Sequence, residues 1–256
     1  MKTYSSLVAA ALLAASGAAN AALISDTSSD GNDKDLETLF NDEWLTEGPD
    51  MDVNAEAKTP GLWQIGASGG AFSKIIIEVA GHQDINNFGI YDRNDTSNRL
   101  EVFDGSHDAG KSRTIQYLGG GSFQSYGAGT GVTTADLGSG TFGFYLRNED
   151  NGDLFLSESA KNPNGATQMT AFQGDGDRTA DFEGNGEPSP WLNNEWVLAW
   201  EDLPYGSSDE DFNDFVGIVE SVQPVPAPGI LGLMGLGLIG LGVTSRGRQR
   251  SYRLLG

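Results

Sequence analysis

The chain has no cysteine, which excludes disulfides, thiolate metal sites and cysteine nucleophiles. Histidine occurs twice, at His82 and His107, so a histidine-rich metal site or proton relay has little to draw on. Bases are scarce: 15 Lys and Arg stand against 36 Asp and Glu. Five of the bases (Lys2, Arg246, Arg248, Arg250 and Arg253) lie near the ends, where there is no acid. The middle of the chain is therefore strongly acidic, a surface that repels nucleic acid and anionic lipid and attracts cations. Self-repulsion that keeps the protein soluble accounts for part of that charge. Helical periodicity is nearly absent, and long apolar runs occur only toward the two ends.

What is present is short, apolar and regularly interrupted. From Gly61 onward, clusters of Gly, Asn, Asp and Ser separate runs such as "LWQIGA", "KIIIEVA", "NFGIYD", "LEVFD", "RTIQYL", "SFQSYG", "TFGFYLR", "DLFLS", "QMTAFQ", "EWVLAW" and "FVGIVESV". The spacing predicts ten or eleven strands, with "NDTSN" as a loop and "GGG" as a hairpin turn. In "TFGFYLR" the residues Phe142, Phe144 and Leu146 share one face, and "EWVLAW" is apolar on both faces. The expected fold is all-β, an antiparallel β-sandwich of jelly-roll type over residues 61–222. Residues 22–60 are acidic and expected to be partly flexible, apart from a short amphipathic helix in "DLETLFNDEWL" capped by Asp33 or Asp35. No fixed-period repeat is visible.

Both ends read as addresses. Residues 1–21 have Lys2, an apolar stretch and Ala19-Asn20-Ala21, the layout of a signal peptide with an A-x-A cleavage pattern. Residues 223–228 are Pro-rich and predict an extended linker. Residues 229–245 are apolar without a charge, the texture of a single transmembrane helix that is slightly short, and the tail 246–256 is basic. Arg246, Arg248 and Arg250 place that tail in the cytoplasm by the positive-inside rule. Gly235, Gly237 and Gly240 match G-x-G-x-x-G, but the match follows a proline linker and has no acid downstream.

Val225-Pro226-Ala227-Pro228, the apolar span and the arginines, in that order, resemble the PEP-CTERM sorting signal of Gram-negative bacteria, with Ala227 where that family usually has glutamate. The resemblance covers residues 224–250. It implies processing by an exosortase, transient anchoring in the membrane, and delivery to the cell surface or release in hosts that make exopolysaccharide.

The segment "EWVLAWEDLPYGSSDEDFNDFVGIVE" carries the chemistry. Glu201 and Asp202 end one strand; Asp209, Asp211 and Asn213 alternate in a loop, with Asp214 adjacent. Oxygen ligands spaced this way can converge on a hard cation, and Ca²⁺ takes 6–8 of them. The other reading is a solvated acidic hairpin with Asn and Asp as turn residues. An EF-hand assignment of Asp209, Asp211, Asn213 and Glu220 fails because Asp214 stands where that loop needs glycine. The segment also resembles a bacterial family of unknown function marked by F/W-E-D-L, a Gly-rich turn and D-x-D-[FY]-N-D, matched here by Trp200 to Leu203 and Asp209 to Asp214. That resemblance covers residues 60–222 and implies an exported β-sandwich with Ca²⁺ as ligand and no enzymatic activity.

Other motifs point less far. "NEDNGD" (148–153) and the acids Asp175, Asp177, Asp181 and Glu183 read as turns first and ion sites second. Gly66 to Gly70 matches the G-x-S-x-G elbow around Ser68, but a strand rather than a helix follows. The expected function is that of a non-enzymatic, Ca²⁺-binding surface or matrix protein. The alternatives are a carbohydrate-binding module for exopolysaccharide, which an exposed aromatic strip would favour, although Trp44, Trp63 and Trp191 each read first as core residues, and a hydrolase with paired carboxylates or a histidine near Ser68.

Overall fold

A computed structural model describes residues 24–25, 34–66, 69–78, 85–107, 109–127 and 131–226. Among these, the strands in chain order are β1 (Leu45–Glu47), β2 (Trp63–Ile65), β3 (Gly70–Glu78), β4 (Asn86–Asp92), β5 (Asp95–Phe103), β6 (Ser112–Gly119), β7 (Ser122–Tyr126), β8 (Thr133–Asp136), β9 (Thr141–Asn148), β10 (Leu154–Leu156), β11 (Met169–Gln173), β12 (Thr179–Ala180), β13 (Ser189–Pro190), β14 (Glu195–Trp200), β15 (Phe215–Glu220) and β16 (Val222–Pro224). Their pairings are antiparallel, so the protein is all-β as expected. One sheet has the order β11-β14-β15-β3-β6-β7-β8, the other β16-β2-β9-β4-β5 with β10 added to β9, and β1-β12-β13 form a small third sheet.

The alternation of the strands builds the core. Phe142, Phe144 and Leu146 of β9 join Trp196, Leu198 and Trp200 of β14 in one buried cluster fed by both large sheets. Within it Phe88 stacks on Phe144 at 5.5 Å and on Phe215 at 5.2 Å, and Trp63 meets Trp196 edge to face at 5.1 Å. Such pairs each contribute about 1 kcal/mol beyond their buried area. Tyr145 lies over its register partner Gly89, and Tyr91 over Gly143. A Cβ on Gly143 would stand 2.3 Å from the Tyr91 ring. Gly143→Ala is therefore expected to destabilise by about 2 kcal/mol, the range of overpacking changes, as read by chemical denaturation.

The opposite face of β14 is also covered. Val197 and Ala199, with Phe172 and Val216, pack against Leu36, Leu39, Phe40, Trp44, Met51 and Val53. The helix expected in this segment is present as Leu36–Thr38, continued by wider turns over Leu39–Trp44. Asp35 caps it, accepting from the Thr38 N–H at 2.8 Å. Residues 34–60 thus form an integral layer on the sheet. Arg178 fastens that layer: its buried guanidinium binds Glu56, Asp175 and the carbonyls of Pro49 and Asp50.

Two expectations need correcting. Asp95 to Asn98, read as loop, belong to β5, because Asp92 accepts from the Asn94 N–H and closes the turn one step earlier. Gln223 and Pro224, read as linker, form β16, and the Val225 N–H donates to the Leu62 carbonyl at 2.8 Å. Proline is tolerated there because β16 is an edge strand. Trp44, Trp63 and Trp191 are all buried, as are Trp196 and Trp200.

Candidate metal centre

The acidic hairpin is the connection between β14 and β15. Trp200 pairs with Phe215, so residues 201–214 loop out from one end of the sheet. The Glu201 N–H donates to the Gln168 carbonyl at 3.1 Å, which carries the extended geometry of β14 one residue past its end. In an extended chain successive side chains point to opposite faces. Glu201 therefore follows Val197 and Ala199 to the outer face, and Asp202 follows Trp196, Leu198 and Trp200 to the inner one.

On the outer face, carboxylate oxygens of Glu201, Asp209 and Asp211 lie within 4.8 Å of one another. Glu201 and Asp211 are each 1% exposed, while Asp209 is half-buried and gives the cluster an opening to solvent. Glu210 and Phe212 adopt left-handed backbone, φ 65° and 59°, between and after the two aspartates. Each costs roughly 1 kcal/mol for a residue with a Cβ. The curl puts the Phe212 ring in the outer cluster and points its N–H at Glu201 Oε1, 2.5 Å away. Glu201 Oε2 is buried with no hydrogen-bond partner.

Asn213 orients Asp211. Its backbone N–H donates to Asp211 Oδ1 at 3.2 Å, and its carboxamide donates to Asp211 Oδ2 at 2.7 Å and to the Lys34 carbonyl at 3.0 Å. The Ser25 N–H donates to the Glu210 carbonyl, so the N-terminal layer braces the loop from a second side.

Electrostatics mark the same residues. Burial pushes the Glu201 carboxyl up to about 7; the Phe212 N–H and the nearby Ser208 hydroxyl offset part of this, and the charges of Asp211 and Asp209 add to it. Burial, then the charges of Asp202 and Glu201, raise Asp214 as well. Three carboxylates gathered in one partly buried place lower their mutual repulsion by taking up protons or a cation. The donors are all oxygen, which suits Ca²⁺ or Mg²⁺ rather than a soft metal.

The six residues singled out in the sequence divide here. Glu201, Asp209 and Asp211 come together with Asn213 behind them. Asp202 points to the inner side, and Asp214 Oδ2 accepts from its backbone N–H at 2.9 Å. Sequence reading missed Asn86 and Gln168, and it placed Asn148 only in a separate acidic turn. Gln168 donates to the Leu203 carbonyl at 2.7 Å, and Asn148 to the Asp202 carbonyl at 3.3 Å. Only their position across the fold reveals them.

Residues 128–221 match the profile of a family described as Domain of unknown function (DUF4114). That stretch contains the whole acidic hairpin and leaves β1 to β7 outside it. No curated protein and no solved structure matches the chain.

The other motifs fall as follows. Glu220 sits on β15 opposite Glu195, away from the loop an EF-hand would need. Asn148, Asn151, Asp175 and Asp181 accept backbone N–H groups two to five residues on, the work of turn residues. His107 bonds Asp104. Ser68, His82, the signal peptide 1–21, Ala227, Pro228, the span 229–245 and Arg246, Arg248 and Arg250 lie outside the described residues. Among the described residues no helix is long and apolar enough to cross a membrane.

Proposed function

We propose that this protein is a non-enzymatic, exported β-domain whose acidic hairpin holds Ca²⁺. The observation that carries the reading is a buried carboxylate oxygen, Glu201 Oε2, that lacks a hydrogen bond and shares its place with Asp209 and Asp211. A buried acceptor left unsatisfied costs about 1–3 kcal/mol, more when charged, and a divalent cation removes that cost. The ion would tie the β14–β15 hairpin to the N-terminal layer, serving as the staple that a cysteine-free exported domain otherwise lacks. The two facing sheets are read as a jelly-roll-like sandwich. The sorting reading supplies location: export across the inner membrane, transient anchoring by residues 229–245, exosortase-type processing, and a place at the cell surface or in the extracellular matrix.

A thermal melt of the full-length chain tests the ion. Ca²⁺ at a hundred times its Kd is expected to stabilise by about 2.7 kcal/mol over EDTA, with a smaller gain from Mg²⁺. Identical melting curves in EDTA and in millimolar Ca²⁺ would remove the ion from the reading.

A second reading, a carbohydrate-binding module for exopolysaccharide, is favoured by a cleft of about 280 Å³. Phe72 and Phe182 line it beside Lys74, Glu195 and Glu220, a mixture of apolar and hydrogen-bonding groups that suits a sugar ring. Phe72→Ala should abolish retention on an exopolysaccharide column if this reading holds. Absence of retention for the unaltered chain discards it.

A further inference from the structure

We propose that Asp202, Asp214 and Asn86 form a second divalent-cation site, on the inner side of the acidic hairpin and built from different residues than the Glu201 site. It shares with the proposed Ca²⁺ function the class of ion but none of the ligands.

Asp202 is fully buried, at 0% exposure, and faces the six-stranded sheet. Asp214 is turned back onto it through the Asp202 N–H. Asn86 is the first residue of β4, in that facing sheet, and is 2% exposed. Its carboxamide nitrogen donates to Asp202 Oδ2 at 2.9 Å. The oxygen of the same carboxamide, Oδ1, is buried and has no hydrogen-bond partner. A buried amide normally finds partners for both ends, and leaving the acceptor bare costs about 1–3 kcal/mol.

A cation resolves this arrangement. With an ion between the carboxylates, a half-turn of the Asn86 carboxamide would present Oδ1 to the metal. The set would then be two carboxylates and one amide oxygen, with water and backbone carbonyls available to complete 6–8 ligands. Oxygen-only coordination favours Ca²⁺ over transition metals. Asn148, which donates to the Asp202 carbonyl, fixes the peptide from the neighbouring strand β9. The two ions would then do different work. The outer one binds the hairpin to the N-terminal layer, and the inner one binds it to the opposite sheet.

Equilibrium dialysis of the full-length chain against Ca²⁺ reads the stoichiometry. The unaltered protein should hold two ions. Glu201→Gln should hold one, and Asp214→Asn should also hold one, with the remaining site unchanged in affinity within about twofold. Asn86→Leu should lose the inner ion, whereas Asn86→Asp, which keeps an oxygen in place, should retain it; this pair decides the matter if Asp214→Asn does not fold. A single ion, lost in Glu201→Gln and indifferent to Asp214→Asn and Asn86→Leu, would overturn the inner site and leave the outer one standing. Binding of no ion at all would overturn both.

Discussion

With divalent ions chelated, the protein is expected to lose at least about 3 kcal/mol of stability as pH rises from about 5 to about 7.5. Glu201 and Asp214 are the two main sources. The Glu201 carboxyl titrates near 7 in the folded state against 4.5 as the ordinary value. Between those values the folded state holds more protons than the unfolded state, so stability falls with rising pH. The gap corresponds to about 3 kcal/mol at 1.36 kcal/mol per pH unit. Asp214, pushed up to about 9 by burial first and then by Asp202, lowers stability in the same direction over the same range. Calcium should reverse the trend, because the ion takes the place of the proton and binds best to the ionised carboxyl. Glu201→Gln separates the effects. It keeps the acceptor for the Phe212 N–H, so in EDTA near pH 7.5 it should melt above the unaltered protein, with a flatter profile and a smaller gain from Ca²⁺. Chemical denaturation across pH, with and without Ca²⁺, measures all of this. Parallel profiles for the two proteins in EDTA would contradict it.

Phe40→Ala is expected to cost about 4 kcal/mol, the range for deleting a buried phenylalanine. Phe40 is fully buried and meets Trp44 at 5.1 Å, Phe172 at 4.9 Å and Trp191 at 5.7 Å. At about 2–4 °C per kcal/mol for a domain of this size, Tm should fall by about 10 °C. The same cluster holds Phe212, which sits between the proposed ligand Asp211 and its orienting Asn213. Weaker Ca²⁺ binding should therefore accompany the loss of stability. A cost below about 1 kcal/mol would mean that the N-terminal layer rests on the sheet without supporting it.

Strands whose burial alternates were readable in the sequence. Phe142, Phe144 and Leu146 share the inner cluster as their spacing implies, and both faces of β14 are covered. The β6–β7 turn was equally plain, since Gly119, Gly120 and Gly121 all take positive φ. The short strands β1, β12 and β13 were not readable, because two or three residues carry no period and owe their form to tertiary contacts. Polar flanks hid the N-terminal layer apart from its short helix. Its buried residues are spread over 34–60 and make sense only against β11 and β14.

The candidate site shows the same boundary. Its acids were visible as a group, and the grouping failed where geometry enters. Glu201 and Asp202 are neighbours in sequence and opposites in direction, as a period of two dictates when it is carried one residue past the strand. Asn86 lies 116 residues before Asp202 and is brought there by the facing sheet, for which no local pattern exists.

The central claim is that Glu201, Asp209 and Asp211 hold a calcium ion. Isothermal titration of Ca²⁺ into the full-length chain and into Asp211→Asn tests it most directly. Saturable binding to the unaltered chain, weakened at least about tenfold by the substitution (some 1.4 kcal/mol), is the predicted result. No saturable binding, or equal affinity in the two proteins, would contradict it.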